Sequence, residues 1–133
     1  AFGDGLLQSA EGTFTFPTNT ENVKTIKMFI KDICPNKECD EWDRYANIYA
    51  KDKASGEWYE LGRFINPYWV GNEKLERGYE IDVTDFKSIL NGSTELKIYT
   101  ETWLNTRLQV FCSCACNSVQ QIVNRWCALR KRV

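Results

Sequence analysis

The sequence predicts an all-β, antiparallel sandwich or barrel, and three features predict it. Apolar and polar residues alternate with period two in several short runs, turn dipeptides separate those runs, and a single short segment could wind into a helix. The first run, Thr13-Phe14-Thr15-Phe16, stops at Pro17, which has no N–H to give to a ladder. In the second, Ile26, Met28 and Ile30 alternate with Lys27, Phe29 and Lys31; in the third, Ala46, Ile48 and Ala50 alternate with Tyr45, Asn47, Tyr49 and Lys51. Ser55-Gly56 reads as a hairpin turn into a strand over Trp58-Tyr59-Glu60-Leu61. Gly78 to Val83 reads as another strand, Thr84 to Leu90 as one helical turn or a crossover, and Asn91-Gly92 as the turn before a strand from Leu96 to Thr100.

A chain of 133 residues suits one domain with one hydrophobic core. A net charge of -1 argues against a nucleic-acid partner, and no apolar run is long enough for a membrane-spanning helix. Histidine is absent, which removes Ser-His-Asp and Cys-His nucleophiles, so hydrolytic chemistry would lean on Asp and Glu. The chain begins at Ala1 without an export signal, so a processed or trimmed start is expected. Closely spaced cysteines point to disulfides and an oxidising compartment, secreted or periplasmic; a cytosolic thiol pair is the alternative.

Charge divides the chain. Residues 104–133 carry Arg107, Arg125, Arg130, Lys131 and Arg132 with no acid, leaving a net of -6 on residues 1–103. The same tail holds Cys112, Cys114, Cys116 and Cys127, four of the six cysteines. They could form a thiolate cluster for zinc or copper(I), but histidines and paired C-x-x-C knuckles are missing, so no metal site is expected. The basic end reads as a solvated terminus.

The chemistry concentrates between Cys34 and Asn47. Cys34 and Cys39 can close a small ring; so short a ring removes little chain entropy and would chiefly fix the geometry of the loop presenting Asp40 to Asp43. Trp42, Asp43, Arg44 and Tyr45 follow at once. Asp43 is the candidate catalytic carboxylate, against the plainer reading of a surface Asp beside an Arg. Further on, period two puts Tyr99, Glu101 and Trp103 on one strand face, where a carboxylate and aromatic rings can hold a sugar by its hydroxyls and its apolar face. Tyr68-Trp69, after Asn66-Pro67, is a second aromatic pair, for which core packing is the plainer reading.

From Ala1 to Trp103 the sequence resembles the amino-terminal domain of the bacterial secreted N-glycanases of the peptide N-glycosidase F family. The likeness runs through A-F-G-D-G-L, Q-S-A-E-G-T-F-T-F-P, V-K-T-I-K-M-F-I-K and C-P-N-K-x-C-D-E-W-D-R-Y-A-N, and on through P-Y-W-V-G, E-I-D-V-T-D-F-K-S and T-E-L-K-I-Y-T-E-T-W. It implies an eight-stranded antiparallel jelly-roll sandwich, joined in the family to a second sandwich across an active-site cleft. The implied activity is hydrolysis of the amide joining an N-glycan to asparagine, without cofactor or metal, on N-linked glycopeptides or glycoproteins through their chitobiose core. Asp43 matches the principal catalytic carboxylate and Glu101 the carboxylate that orients the first sugar. Arg44 matches a sugar contact and Trp103 an aromatic lining the cleft, with Trp42, Tyr68 and Trp69 as further substrate-binding candidates. Cys34 and Cys39 match a family disulfide.

After Trp103 the resemblance stops. Residues 108–112 and 116–121 match shifted-frame readings of the family's later segments D-Y-K-Y-S-A and V-I-Q-Y-N-K, which implies that the basic Cys-rich tail, 104–133, is out of frame. The expectation is a truncated sandwich that lacks the family's final strand, bares a sheet edge, lacks the second β-sandwich domain, and has little or no turnover alone. A noncatalytic N-glycan-binding sandwich and a nonfunctional gene fragment are the alternatives.

Overall fold

In a computed structural model of the chain, the described residues are 9–33, 45–65, 78–100, 107–116 and 120–128. They form β1 (Ser9–Thr15), β2 (Val23–Ile33), β3 (Tyr45–Lys51), β4 (Trp58–Ile65), β5 (Tyr79–Asp82), β6 (Ser93–Thr100), β7 (Arg107–Cys116) and β8 (Gln120–Ala128), with one 3-10 turn at Thr84–Phe86 between β5 and β6. The strands make two antiparallel four-stranded sheets, ordered β1-β6-β3-β4 and β5-β2-β7-β8. The all-β sandwich expected from the sequence is the fold observed.

Period-two patterning builds the core between the sheets. In β6, Thr94, Leu96, Ile98 and Thr100 are buried while Ser93 and Glu95 are exposed and Lys97 and Tyr99 half-buried. Ile26, Met28 and Ile30 of β2 and Ala46, Ile48 and Ala50 of β3 face the same core, joined by Phe14, Leu61, Val83 and Leu90. Phe29 departs from the expected polar face of β2, being buried as well. Close approach between the sheets uses glycine: a Cβ on Gly62 of β4 would lie 2.9 Å from Ile81 Cδ1 of β5.

The crossover from β5 to β6 is pinned to β2. Val83 N–H donates to the Ile26 carbonyl at 2.9 Å, and Ile26 N–H donates to Thr84 Oγ1 at 3.0 Å. The segment 84–90, expected as a helical turn or a crossover, holds a short 3-10 turn at Thr84–Phe86, flanked by the fully buried Val83 and Leu90.

Among the described residues, strands from the tail cover the edge of β2 that was expected to be bare. β7 pairs with β2 from Val23↔Cys116 to Ile33↔Arg107, and β8 pairs with β7 beyond it. The register sets Cys112 opposite Met28 and Cys114 opposite Ile26, so both cysteines point into the core at 0% exposure. The physical reason is that cysteine packs as a small apolar residue: alternation of Cys112 and Cys114 with Phe111, Ser113 and Ala115 is a strand pattern.

Candidate functional site

The candidate residues lie outside the described residues: Cys34, Cys39, Trp42, Asp43 and Arg44 within 34–44, Tyr68 and Trp69 within 66–77, and Glu101 and Trp103 within 101–106. The strands bounding these segments are described, and they converge. β2 ends at Ile33 and β3 begins at Tyr45; β4 ends at Ile65 and Gly78 precedes β5; β6 ends at Thr100 and β7 begins at Arg107. Within the first sheet Tyr45 pairs with Ile65 and Ala46 with Thr100; within the second Ile33 pairs with Arg107 and Ile30 with Tyr79. The Phe64 and Tyr79 rings, 5.7 Å apart, bring these two sets of strand ends together. Each of the three segments thus leaves one sheet and rejoins the other at a single end of the sandwich. Residues up to 69 positions apart in sequence are carried by connections whose anchoring strand ends are neighbours.

Described side chains at this end range from exposed to buried. Tyr45, directly after Arg44, is 46% exposed and its ring lies 5.9 Å from that of Tyr99; Ile65 is 60% exposed. Tyr99 lies on the outer face of β6, opposite to the buried Thr100, as the shared face expected for Tyr99, Glu101 and Trp103 requires of its first member. Thr100, the residue before Glu101, is 4% exposed, and its Oγ1 is the buried side-chain polar atom that lacks a hydrogen-bond partner among the described residues. A buried hydroxyl left unpaired would cost about 1–3 kcal/mol. Nothing in the sequence signals it.

The opposite end of the sandwich has carboxylates too, but they are committed. Asp52 accepts from Ser55 Oγ at 2.8 Å, Ala54 N–H at 3.1 Å and Ser55 N–H at 3.2 Å, and these donors, Ser55 foremost, hold its pKa below the ordinary value. The Thr84 hydroxyl and N–H do the same for Asp82. Carboxylates held ionised by local donors suit turns, not proton transfer near neutral pH. An open pocket of about 440 Å³ lies at this end, lined by Thr13, Lys51, Asp52, Lys53, Gly56, Ser93 and Glu95. Its charges are already engaged, Lys51 with Glu95 at 3.2 Å and Lys53 with Asn91.

Cys112 is held as a thiol, its pKa pushed up to about 12 by burial and, second, by Cys114. In that state it is neither nucleophile nor metal ligand. Groups of three or more potential metal ligands are absent among the described residues.

No protein-family model matches the chain. Over 104 residues, 78% of its length, it is 79% identical to the peptide-N(4)-(N-acetyl-beta-D-glucosaminyl)asparagine amidase F of Elizabethkingia miricola. It superposes with a TM-score of 0.81, at 70% identity over 87% of its length, on a crystal structure of peptide-N(4)-(N-acetyl-beta-D-glucosaminyl) asparagine amidase and on the structure of PNGase F, a glycosylasparaginase from Flavobacterium meningosepticum. The chain spans 29% of the length of the curated relative and 38% of the solved chains. It is a close homologue of part of this amidase.

Proposed function

We propose, from this homology to part of an asparagine amidase, that the chain supplies one wall of an N-glycan amidase site and binds the chitobiose core of N-linked glycopeptides. The observation that carries the reading is 79% identity to the amidase over 104 residues of the chain. In the proposed reaction water adds to the carbonyl carbon of the asparagine side-chain amide and the bond to the glycosyl nitrogen breaks. The peptide keeps aspartate, and the glycosylamine leaves and later loses ammonia. Asp43 activates the attack and handles the proton, Glu101 and Arg44 orient the first sugar, and Trp103, with Trp42, Tyr68 and Trp69, packs on ring faces. A Cys34–Cys39 disulfide would fix the Asp43 loop and belongs with a secreted or periplasmic setting.

Turnover needs both walls of a cleft, because positioned carboxylates work only on a substrate held in line and shielded from bulk water. The 133-residue chain alone is therefore expected to bind and not to cleave, with β7 and β8 forming one side of the second sheet. The test is mass spectrometry of a denatured N-glycopeptide incubated with the purified chain, with binding followed in parallel. Binding without the aspartate-bearing product supports the reading, and Asp43→Asn should leave that binding unchanged. Product from the chain alone, lost in Asp43→Asn, would show that one wall suffices; absence of binding would remove the glycan-site assignment itself.

A further inference from the structure

Asn91-Gly92 is the one place in the chain where asparagine precedes glycine. Such a pair is chemically labile, because glycine has no side chain to shield its backbone nitrogen from the neighbouring carboxamide. Here that chemistry sits inside a hydrogen-bonded junction. Gly92 N–H donates to the Pro17 carbonyl at 3.3 Å, and the Gly92 carbonyl accepts from Phe16 N–H at 2.8 Å. The Asn91 carboxamide donates from Nδ2 to the Ser88 carbonyl and accepts at Oδ1 from Lys53 Nζ at 3.1 Å. The Asn91 carbonyl accepts from Thr94 Oγ1 at 3.0 Å and from Lys53 Nζ. Gly92 itself adopts φ +53, a conformation that favours glycine.

We infer that Asn91 is a deamidation site gated by the fold, protected while this junction is closed and reactive when it opens. The step is intramolecular. The Gly92 nitrogen gives up its proton to solvent and bonds to Asn91 Cγ, and the Cγ–Nδ2 bond breaks to release ammonia, leaving a five-membered succinimide. Water then opens the ring at either carbonyl, giving aspartate or isoaspartate. The closed junction opposes the first step twice, since Pro17 engages the attacking nitrogen and Ser88 the leaving one. Lys53 acts in the other direction: an ammonium on Oδ1 draws electron density from Cγ, so a junction that opens at Pro17 and Ser88 while Lys53 stays in place would be primed.

The product matters to the fold because three segments meet at Asn91-Gly92: the end of β1 through Phe16 and Pro17, the β3–β4 turn through Lys53, and the start of β6 through Thr94. Isoaspartate adds a backbone carbon at that point and shifts every one of these bonds. Aspartate loses the donor to Ser88.

The experiment is peptide mapping by mass spectrometry of the intact chain held at mildly alkaline pH, folded in buffer and unfolded in urea, with isoaspartate assayed separately. Asn91 is expected to be the first asparagine to react in urea and to react at least tenfold more slowly in the folded chain. Reaction at equal rates in the two states, or another asparagine reacting first in urea, would overturn the inference. As a second measurement, Asn91→Asp should lower the midpoint of urea unfolding; an unchanged midpoint would contradict the junction's role.

Discussion

At one end of the sandwich, short connections are closed by hydrogen bonds of their own: Asp52 accepts from Ala54 and Ser55, Gly56 N–H donates to the Asp52 carbonyl at 2.8 Å, Asp82 holds Thr84, and Asn91-Gly92 ties β1 to β6. At the other, three connections cross between the sheets, and the described side chains beside them include the exposed Tyr45 near the half-buried Tyr99, the exposed Ile65 and the buried Thr100. The first end spends its polar groups on the backbone and fixes register. The second carries the crossover connections between the sheets, and loops set on a rigid scaffold are where binding residues commonly lie. A sandwich can thus divide labour between its ends, since strands transmit rigidity along their length while loops carry chemistry.

Substitutions can break or sharpen this contrast. The largest effect is expected from Gly78→Ala at the site end, where a Cβ would lie 2.0 Å from the Ile30 carbonyl oxygen on a residue with φ +78. Left-handed strain and overlap together should cost about 2–5 kcal/mol. Gly56→Ala at the turn end, with φ +74 but nothing within 4 Å, should cost only the strain, about 1–2 kcal/mol. Urea unfolding of both variants measures the difference, and equal costs would mean that β2 and the start of β5 are not in the close contact described.

Acid should act on the turn end next. Asp52 and Asp82 have folded pKa values below the ordinary 3.8, so their contribution to stability is present above that value and is lost as pH falls through it toward the folded values. Replacing both by Asn should flatten the decline of the thermal midpoint below pH 3.8. The smallest effect belongs to neither end. Lys97 Nζ lies 4.2 Å from the Trp58 ring centre on the outer face of the first sheet, and Lys97→Ala should cost about 0.5–1 kcal/mol.

Much of this fold was legible in the sequence. β2, β3, β5 and β6 follow from alternation, broken in β2 at the buried Phe29, and Gly56 and Gly92 take the left-handed conformations their turn dipeptides call for. The start of β1 at Ser9 was not legible, because Ser9, Glu11 and Gly12 carry no apolar signal and the strand is held by pairing with β6. β7 was missed for a different reason: Cys112 and Cys114 suggest ligands when read as chemistry, and become core residues only once Met28 and Ile26 stand opposite them. The candidate residues were picked out by composition and resemblance and lie outside the described residues, whereas the pairing of the strand ends that bound their segments is a non-local fact that no local pattern holds. The unpaired Thr100 hydroxyl is of the same kind.

The most direct test of this division is a titration of the isotope-labelled chain with an N-glycopeptide bearing a chitobiose core, followed by amide chemical shifts. Shifts at Tyr45, Ile65, Tyr99 and Thr100, with Asp52, Gly56, Asn91 and Gly92 unmoved, are the expected result. Shifts centred on the turn end, or none at saturating ligand, would contradict the assignment of the glycan site to the end where the three connections cross.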